Sequence, residues 1–152
     1  MKNIQSNYFL AKKIIIVLLG LSITSCKKPR NGEYTYEETG TKSSYLSENA
    51  SPFTSLGKNN FNTSEKARLK NKSNSTLYIN EVPWTINGDA VSYIYSNTSV
   101  ISAGSTLKYE YSYTGTITGK KNIEGTFKRV QVNYSYSNIR IDSSSGSFTY
   151  KK

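Results

Sequence analysis

The chain has 152 residues, with 20 Lys+Arg against 10 Asp+Glu, 13 tyrosines, one cysteine and no histidine. That length suits one small domain, and a hydrophobic fraction of 36% with a mean hydropathy of -0.56 supports a modest core rather than full-length disorder. Without histidine and with a single cysteine, Ser–His–Asp and Cys–His catalysis, internal disulfides and multi-cysteine zinc sites are excluded, so neither a metal site nor a cofactor is expected.

The first 26 residues carry the address. Lys12 and Lys13 form a positive region, Ile14 to Ile23 an apolar run of ten residues, and Thr24 and Ser25 lead into Cys26. As a helix the run rises about 15 Å, half the ~30 Å hydrocarbon core of a bilayer, so it reads as a removable export signal and not a spanning anchor. Ile23-Thr24-Ser25-Cys26 resembles the lipobox of bacterial lipoproteins, with isoleucine at the place where leucine is more usual. The resemblance implies cleavage between Ser25 and Cys26, a diacylglycerol thioether on Cys26 and acylation of the new amino group. One acyl chain anchors marginally, at about 0.8 kcal/mol per CH₂, whereas two or more hold stably. Lys27 stands where enteric lipoproteins that stay in the inner membrane carry aspartate, and no acidic surface-export signal follows the cysteine. The expected location is therefore the outer membrane, facing the periplasm.

Loss of residues 1–25 removes Lys2, Lys12 and Lys13 and no acid, so the formal net charge falls from +10 to +7. Such a chain attracts anionic lipid or acidic envelope polymer. Nucleic acid would also bind by charge alone, but export makes it an improbable partner.

Residues 26–75 are polar, with apolar side chains scattered singly at Tyr45, Leu46, Phe53, Leu56 and Phe61. This part reads as a tether, with Tyr34 and Tyr36 starting a strand. Asn62-Thr63-Ser64-Glu65 resembles a helix capping box before Lys66-Ala67-Arg68-Leu69-Lys70, so one short helix of about two turns is expected there.

Residues 76–152 read as strands. Val82, Trp84 and Ile86 alternate with polar positions, Asn87-Gly88 supplies a turn, and Val91, Tyr93 and Tyr95 alternate after it. Leu107, Tyr109, Tyr111 and Tyr113 then share one face opposite Lys108, Glu110 and Ser112. Gly119 to Asn122 form the next turn. Apolar parity is odd at Ile123 and Phe127 but even at Val130, Val132, Tyr134 and Tyr136, which predicts a β-bulge near Lys128 and Arg129. Ile139 with Ile141 and Phe148 with Tyr150 make the last strand segments. The expectation is an all-β domain, a small antiparallel meander, barrel or sandwich of six to eight strands, preceded by the tether and the short helix.

Tyr113-Thr-Gly-Thr-Ile-Thr-Gly, Ile123-Glu-Gly-Thr-Phe and Gly146-Ser-Phe-Thr-Tyr150 resemble the hairpins of small lipocalin-like bacterial lipoproteins, although the Gly-x-Trp entry of lipocalins is absent. That resemblance covers the last half of the chain and implies an up-and-down barrel with room for one apolar ligand.

Catalytic chemistry finds no support. Glu110, Glu124 and Asp142 have no spacing that suggests a glycosidase pair, and Glu110 shares a face with Lys108. Tyr109, Tyr111 and Tyr113 read either as the core side of the sheet or as an aromatic ladder for sugar rings or protein. Tyr134, Tyr136, Lys128, Arg129 and Arg140 make the candidate aromatic-basic binding surface. The leading expectation is a lipid-anchored, non-catalytic binding or interaction module directed at an envelope polymer, anionic lipid or envelope protein. A lipocalin-like carrier of a small apolar ligand or lipid is the alternative, and it requires a cavity lined by Ile117, Phe127 or Val132. An inhibitor of an envelope-directed enzyme such as lysozyme lacks a recognisable inhibitory loop.

Overall fold

A computed structural model of the protein describes residues 28–152. Eight strands run in chain order round a closed antiparallel barrel: β1 Gly32–Glu48, β2 Thr54–Asn71, β3 Thr76–Ile79, β4 Val82–Asn87, β5 Ala90–Ser102, β6 Ser105–Thr118, β7 Asn122–Ser135 and β8 Asn138–Lys151, which pairs back onto β1. The all-β expectation holds, and the architecture is the barrel.

Two of these strands are much shorter than the rest, and that decides the shape. The β3–β4 hairpin meets β2 only at Leu69 to Asn71 and β5 only at Ala90 to Ser92. At this end the barrel is closed on every side. Beyond the hairpin, residues 54–67 of β2 and 93–102 of β5 have a strand neighbour on one side only, β1 and β6 respectively, among the described residues. The other half of the barrel therefore has a slot in its wall.

The two halves have different interiors. In the closed half, inward positions carry Tyr34, Leu69, Leu77, Ile117, Ile123 and Phe148, all nearly or fully buried. Trp84 lies among them, its ring 5.3 Å from Tyr113, 5.6 Å from Tyr93 and 5.9 Å from Phe148 between centroids. Aromatic pairs at these separations add to the area term and pack the interior of this half. Inward glycines make room for the rings. A Cβ on Gly125 would lie 2.8 Å from the Phe148 ring and 2.2 Å from the Thr114 carbonyl, and Gly125 pairs directly with Gly115 across the sheet. The Gly-Thr phrases of the sequence are thus places where a phenylalanine ring lies against bare backbone.

Several sequence expectations are corrected. Most of the stretch 26–75 read as a tether is regular strand: Gly32–Glu48 and Thr54–Asn71 form β1 and β2, the longest strand pair. The capping box at Asn62 to Glu65 starts no helix, because Ala67 and Leu69 turn inward while Lys66, Arg68 and Lys70 stay exposed, a period of two. Pairing of Ala67 with Tyr34 and Leu69 with Gly32 overrides a two-turn helix that would be marginal alone. No bulge interrupts β7: its register with β6 and β8 is continuous throughout. The apolar parity changes because the interior changes, with Ile123 and Phe127 facing the packed half and Arg129 and Gln131 facing the open one. Val130, Val132 and Tyr134 consequently sit on the outer wall. Register shifts occur instead at Ser44/Tyr45 and at Val100/Ser102.

Candidate functional site

The slotted half encloses two adjoining compartments of about 400 and 450 Å³ that share Tyr36, Glu65, Tyr111 and Arg129 in their walls. Each is the size of a small-molecule site. Their floor is an ion pair. Arg129 of β7, two residues beyond the buried Phe127, turns inward and donates from Nη2 to Glu38 of β1. The Glu38 side chain is only 2% exposed, and it also accepts a hydrogen bond from the Tyr36 phenol. Arg129 Nε donates to the Tyr113 hydroxyl at 2.5 Å, and its guanidinium lies 4.8 Å from the Phe127 ring centroid and 5.4 Å from that of Tyr113. A buried carboxylate is tolerated when it is paired and hydrogen-bonded, as here.

Electrostatics fixes the protonation states around this pair. Burial works against the Arg129 charge, but Tyr113 and Glu38 outweigh it and raise its pKa above the usual guanidinium value. Burial raises the Tyr36 phenol well above 10.0, helped by its bond to Glu38, and burial likewise raises Tyr113. Tyr93 and Tyr111 are raised as well, chiefly by burial. All four phenols are protonated at neutral pH; the Tyr36 proton is held by Glu38, which leaves Tyr93, Tyr111 and Tyr113 to donate to a ligand.

Aromatic rings extend from the floor to the rim. Tyr93 stacks on Tyr95 at 6.5 Å and Tyr95 on Tyr111 at 5.6 Å, while Tyr109 meets Tyr111 edge-on at 5.9 Å. Lys42, Gln131 and Asp142 line the far compartment. At that rim Arg140 Nε donates to Asp142 at 3.0 Å and Ser44 donates to the same carboxylate. Burial raises the Asp142 pKa, but those two bonds outweigh it and leave the value below 3.8.

The candidate surface read from sequence does not form one patch. Arg129 faces inward, Lys128 and Tyr134 face outward, and Tyr136 sits in the β7–β8 turn with φ 50°, its N–H bonded to the Gly104 carbonyl at 2.8 Å. Arg140 is bound to Asp142 at the rim. Tyr109, Tyr111 and Tyr113 all face inward; Tyr113 packs on the core and Tyr111 on the chamber. Glu110 pairs with Lys108 at 2.6 Å and does not share a face with Asp142, so the three carboxylates weighed for catalysis do not converge. Among the described residues no three carboxylate or thiol side chains gather in a geometry for a metal ion. Ser25 and Cys26 lie outside the described residues.

Glu38 and Lys42 were not singled out from sequence, Tyr36 was read only as the start of a strand and Glu65 only as part of a capping box, because they fall in the stretch read as a tether. Alternation over Tyr34, Tyr36 and Glu38 was their one signal, and a buried charge at the third place hides it from any hydrophobic pattern. Compared with family models, curated proteins and solved structures, the chain matches none.

Proposed function

We propose that this protein is a lipid-anchored, non-catalytic binding module of the bacterial envelope whose ligand site is the slotted half of the barrel. The observation that carries the reading is the chamber itself, walled by protonated tyrosines over the Glu38–Arg129 pair and open to solvent through the gap between β2 and β5. Stacked phenol rings, a guanidinium and a few carboxylates suit a polyhydroxylated ligand such as a segment of envelope glycan, which offers ring faces for stacking and hydroxyls for bonding. The site needs no cofactor. The lipobox resemblance supplies the anchorage, through acylated Cys26, and with it the outer-membrane location facing the periplasm.

A carrier of a small apolar ligand is less well supported by the lining. Of the three residues such a cavity would require, Ile117 and Phe127 are buried in the packed half, and Val132 belongs to the outer wall. Trp84 provides the test, because its ring is 5.6 Å from Tyr93 at the chamber wall. Titration with oligomers of N-acetylglucosamine or of uronic acid should change its fluorescence saturably, and Tyr111→Ala should weaken that response at least tenfold. A response to fatty acid with none to any oligosaccharide would transfer the site to the carrier reading.

A further inference from the structure

The two ends of the barrel differ in charge. At the closed end, the entering segment, the β2–β3, β4–β5 and β6–β7 turns and the C-terminus hold Lys28, Arg30, Lys72, Lys120, Lys121 and Lys152. Asp89 is the one acidic side chain in those segments. At the slotted end, the turns at 49–53, 103–104 and 136–137 contain no charged residue.

The closed-end cations form a compact group. The Arg30 N–H bonds the Lys120 carbonyl at 3.0 Å, and the Lys152 N–H bonds the Lys121 carbonyl at 3.2 Å. Lys152 Nζ reaches the Asn31 carbonyl at 2.7 Å, and Lys28 bonds Asn74 of the β2–β3 turn. None of the six belongs to an ion pair among the described residues, whereas Lys151 nearby is neutralised by Glu37 at 3.0 Å. Beside them a groove of about 650 Å³ on the outer wall places Arg68, Lys70 and Lys72 round Tyr78, with Glu81 and Asn80 at its edge.

We infer that the closed end docks flat on a bilayer containing anionic lipid. Unpaired positive charge concentrated in the segments of one end, with uncharged turns at the other, is complementary to a negatively charged surface and not to a small anion in one pocket. The chain outside the structure ends at the same place. Lys28 is two residues from Cys26, at most about 7 Å of extended chain, and the following segment is already pinned to the β6–β7 turn. An acyl chain on Cys26 would therefore press this face against the headgroups instead of holding the domain off them. The inference deepens the proposed anchorage and rests on it for orientation, but its test does not require acylation.

The full chain is made by cell-free translation without lipidating enzymes and partitioned onto phosphatidylcholine vesicles with or without about 30% phosphatidylglycerol. The apolar leader contributes alike in every variant. Wild-type chain should favour the anionic vesicles, and raising NaCl from about 0.05 to about 0.5 M should remove the preference. Each lysine near such a surface is worth roughly fivefold, so Lys72→Gln/Lys120→Gln/Lys121→Gln should lower the preference by one to two orders of magnitude. The matched variant Lys58→Gln/Lys66→Gln/Lys128→Gln removes the same charge from elsewhere on the wall and should lower it less than threefold. Equal losses in the two variants would reduce the effect to net charge and overturn the inference, as would no loss in either. Vesicle-independent self-association abolished by the closed-end substitutions would assign that face to a second copy of the chain and equally overturn it. Whether Cys26 is acylated is read separately, by the mass of the protein extracted from cells.

Discussion

Replacing Arg129 by methionine probes the centre of the chamber. Methionine retains the aliphatic volume over Phe127 and Tyr113 but removes the guanidinium, leaving a 2%-exposed Glu38 carboxylate with the Tyr36 phenol as its remaining partner. Removing one partner of a buried pair costs about 3–5 kcal/mol. The Arg129 side chain is 34% exposed, so water entering from the chamber can partly replace it, and the lower figure of about 3 kcal/mol applies. For a domain of this size that corresponds to a fall in Tm of about 10 °C. Urea unfolding followed by circular dichroism and Trp84 fluorescence measures the loss, with an unchanged m-value confirming that the unfolded state is not altered. Glu38→Gln removes the charge that Arg129 compensates, so the double variant should be more stable than the sum of the single losses by about 2 kcal/mol. A loss below about 1 kcal/mol for Arg129→Met, or strict additivity in the double variant, would refute the assignment of this pair as the electrostatic floor of the site.

Alkaline stability follows from the buried phenols. Burial raises the pKa of Tyr36, Tyr113 and Tyr150 above 10.0, so the folded state holds these protons more tightly than the unfolded one. Their contribution is complete below pH 10 and is lost as pH rises above it; Tyr150→Phe should flatten the decline, and an unchanged slope would contradict it. Gly125→Ala should cost about 3 kcal/mol, since its Cβ meets backbone at 2.2 and 2.6 Å; a chemical-denaturation loss under about 1 kcal/mol would show that β6 and β7 can move apart. Cys26→Ala should accumulate as an unprocessed, unacylated precursor in the producing cell, and normal cleavage before residue 26 would remove the lipobox reading.

From β4 to β8 legibility followed the polarity of the interior, whereas Tyr34, Ala67 and Leu69, buried in the closed half, were hidden by the polar residues round them. Where the interior is apolar, as at Trp84 and Ile86, at Val91, or at Phe148 and Tyr150, alternation and burial coincide and the strands read correctly. Where the interior is a hydrated chamber, the inward positions are Glu38, Lys42, Arg129 and Gln131, and the pattern inverts or vanishes. β1 and β2 were consequently taken for a tether, and a change of lining in β7 was taken for a bulge. Period-two reading assumes that inside means apolar. Arg129 was singled out, but as part of an outer surface; only the pairing of β7 with β8 and β8 with β1 brings it to Glu38, 91 positions earlier in the chain.

Position along the barrel axis relates the two sites. Strands of 14 residues, as in β6, β7 and β8, extend about 46 Å, and the usual barrel tilt of about 35–45° reduces that to a height of about 35 Å. With the closed end on the membrane, the packed aromatic core fills the lower half and the slot begins above it, well clear of the headgroups. A lipid leaving the bilayer would have to pass the filled half, through Phe148, Trp84 and Ile117, to reach the chamber. A polymer in the surrounding aqueous space would enter directly between β2 and β5, whose edges carry Asn, Ser, Thr and Lys side chains interspersed with the exposed Leu56, Ile94, Val100 and Ile101. With the basic end set toward lipid, the same asymmetry would turn the tyrosine-lined chamber away from it, which favours a water-borne polyhydroxylated ligand over a membrane-derived one.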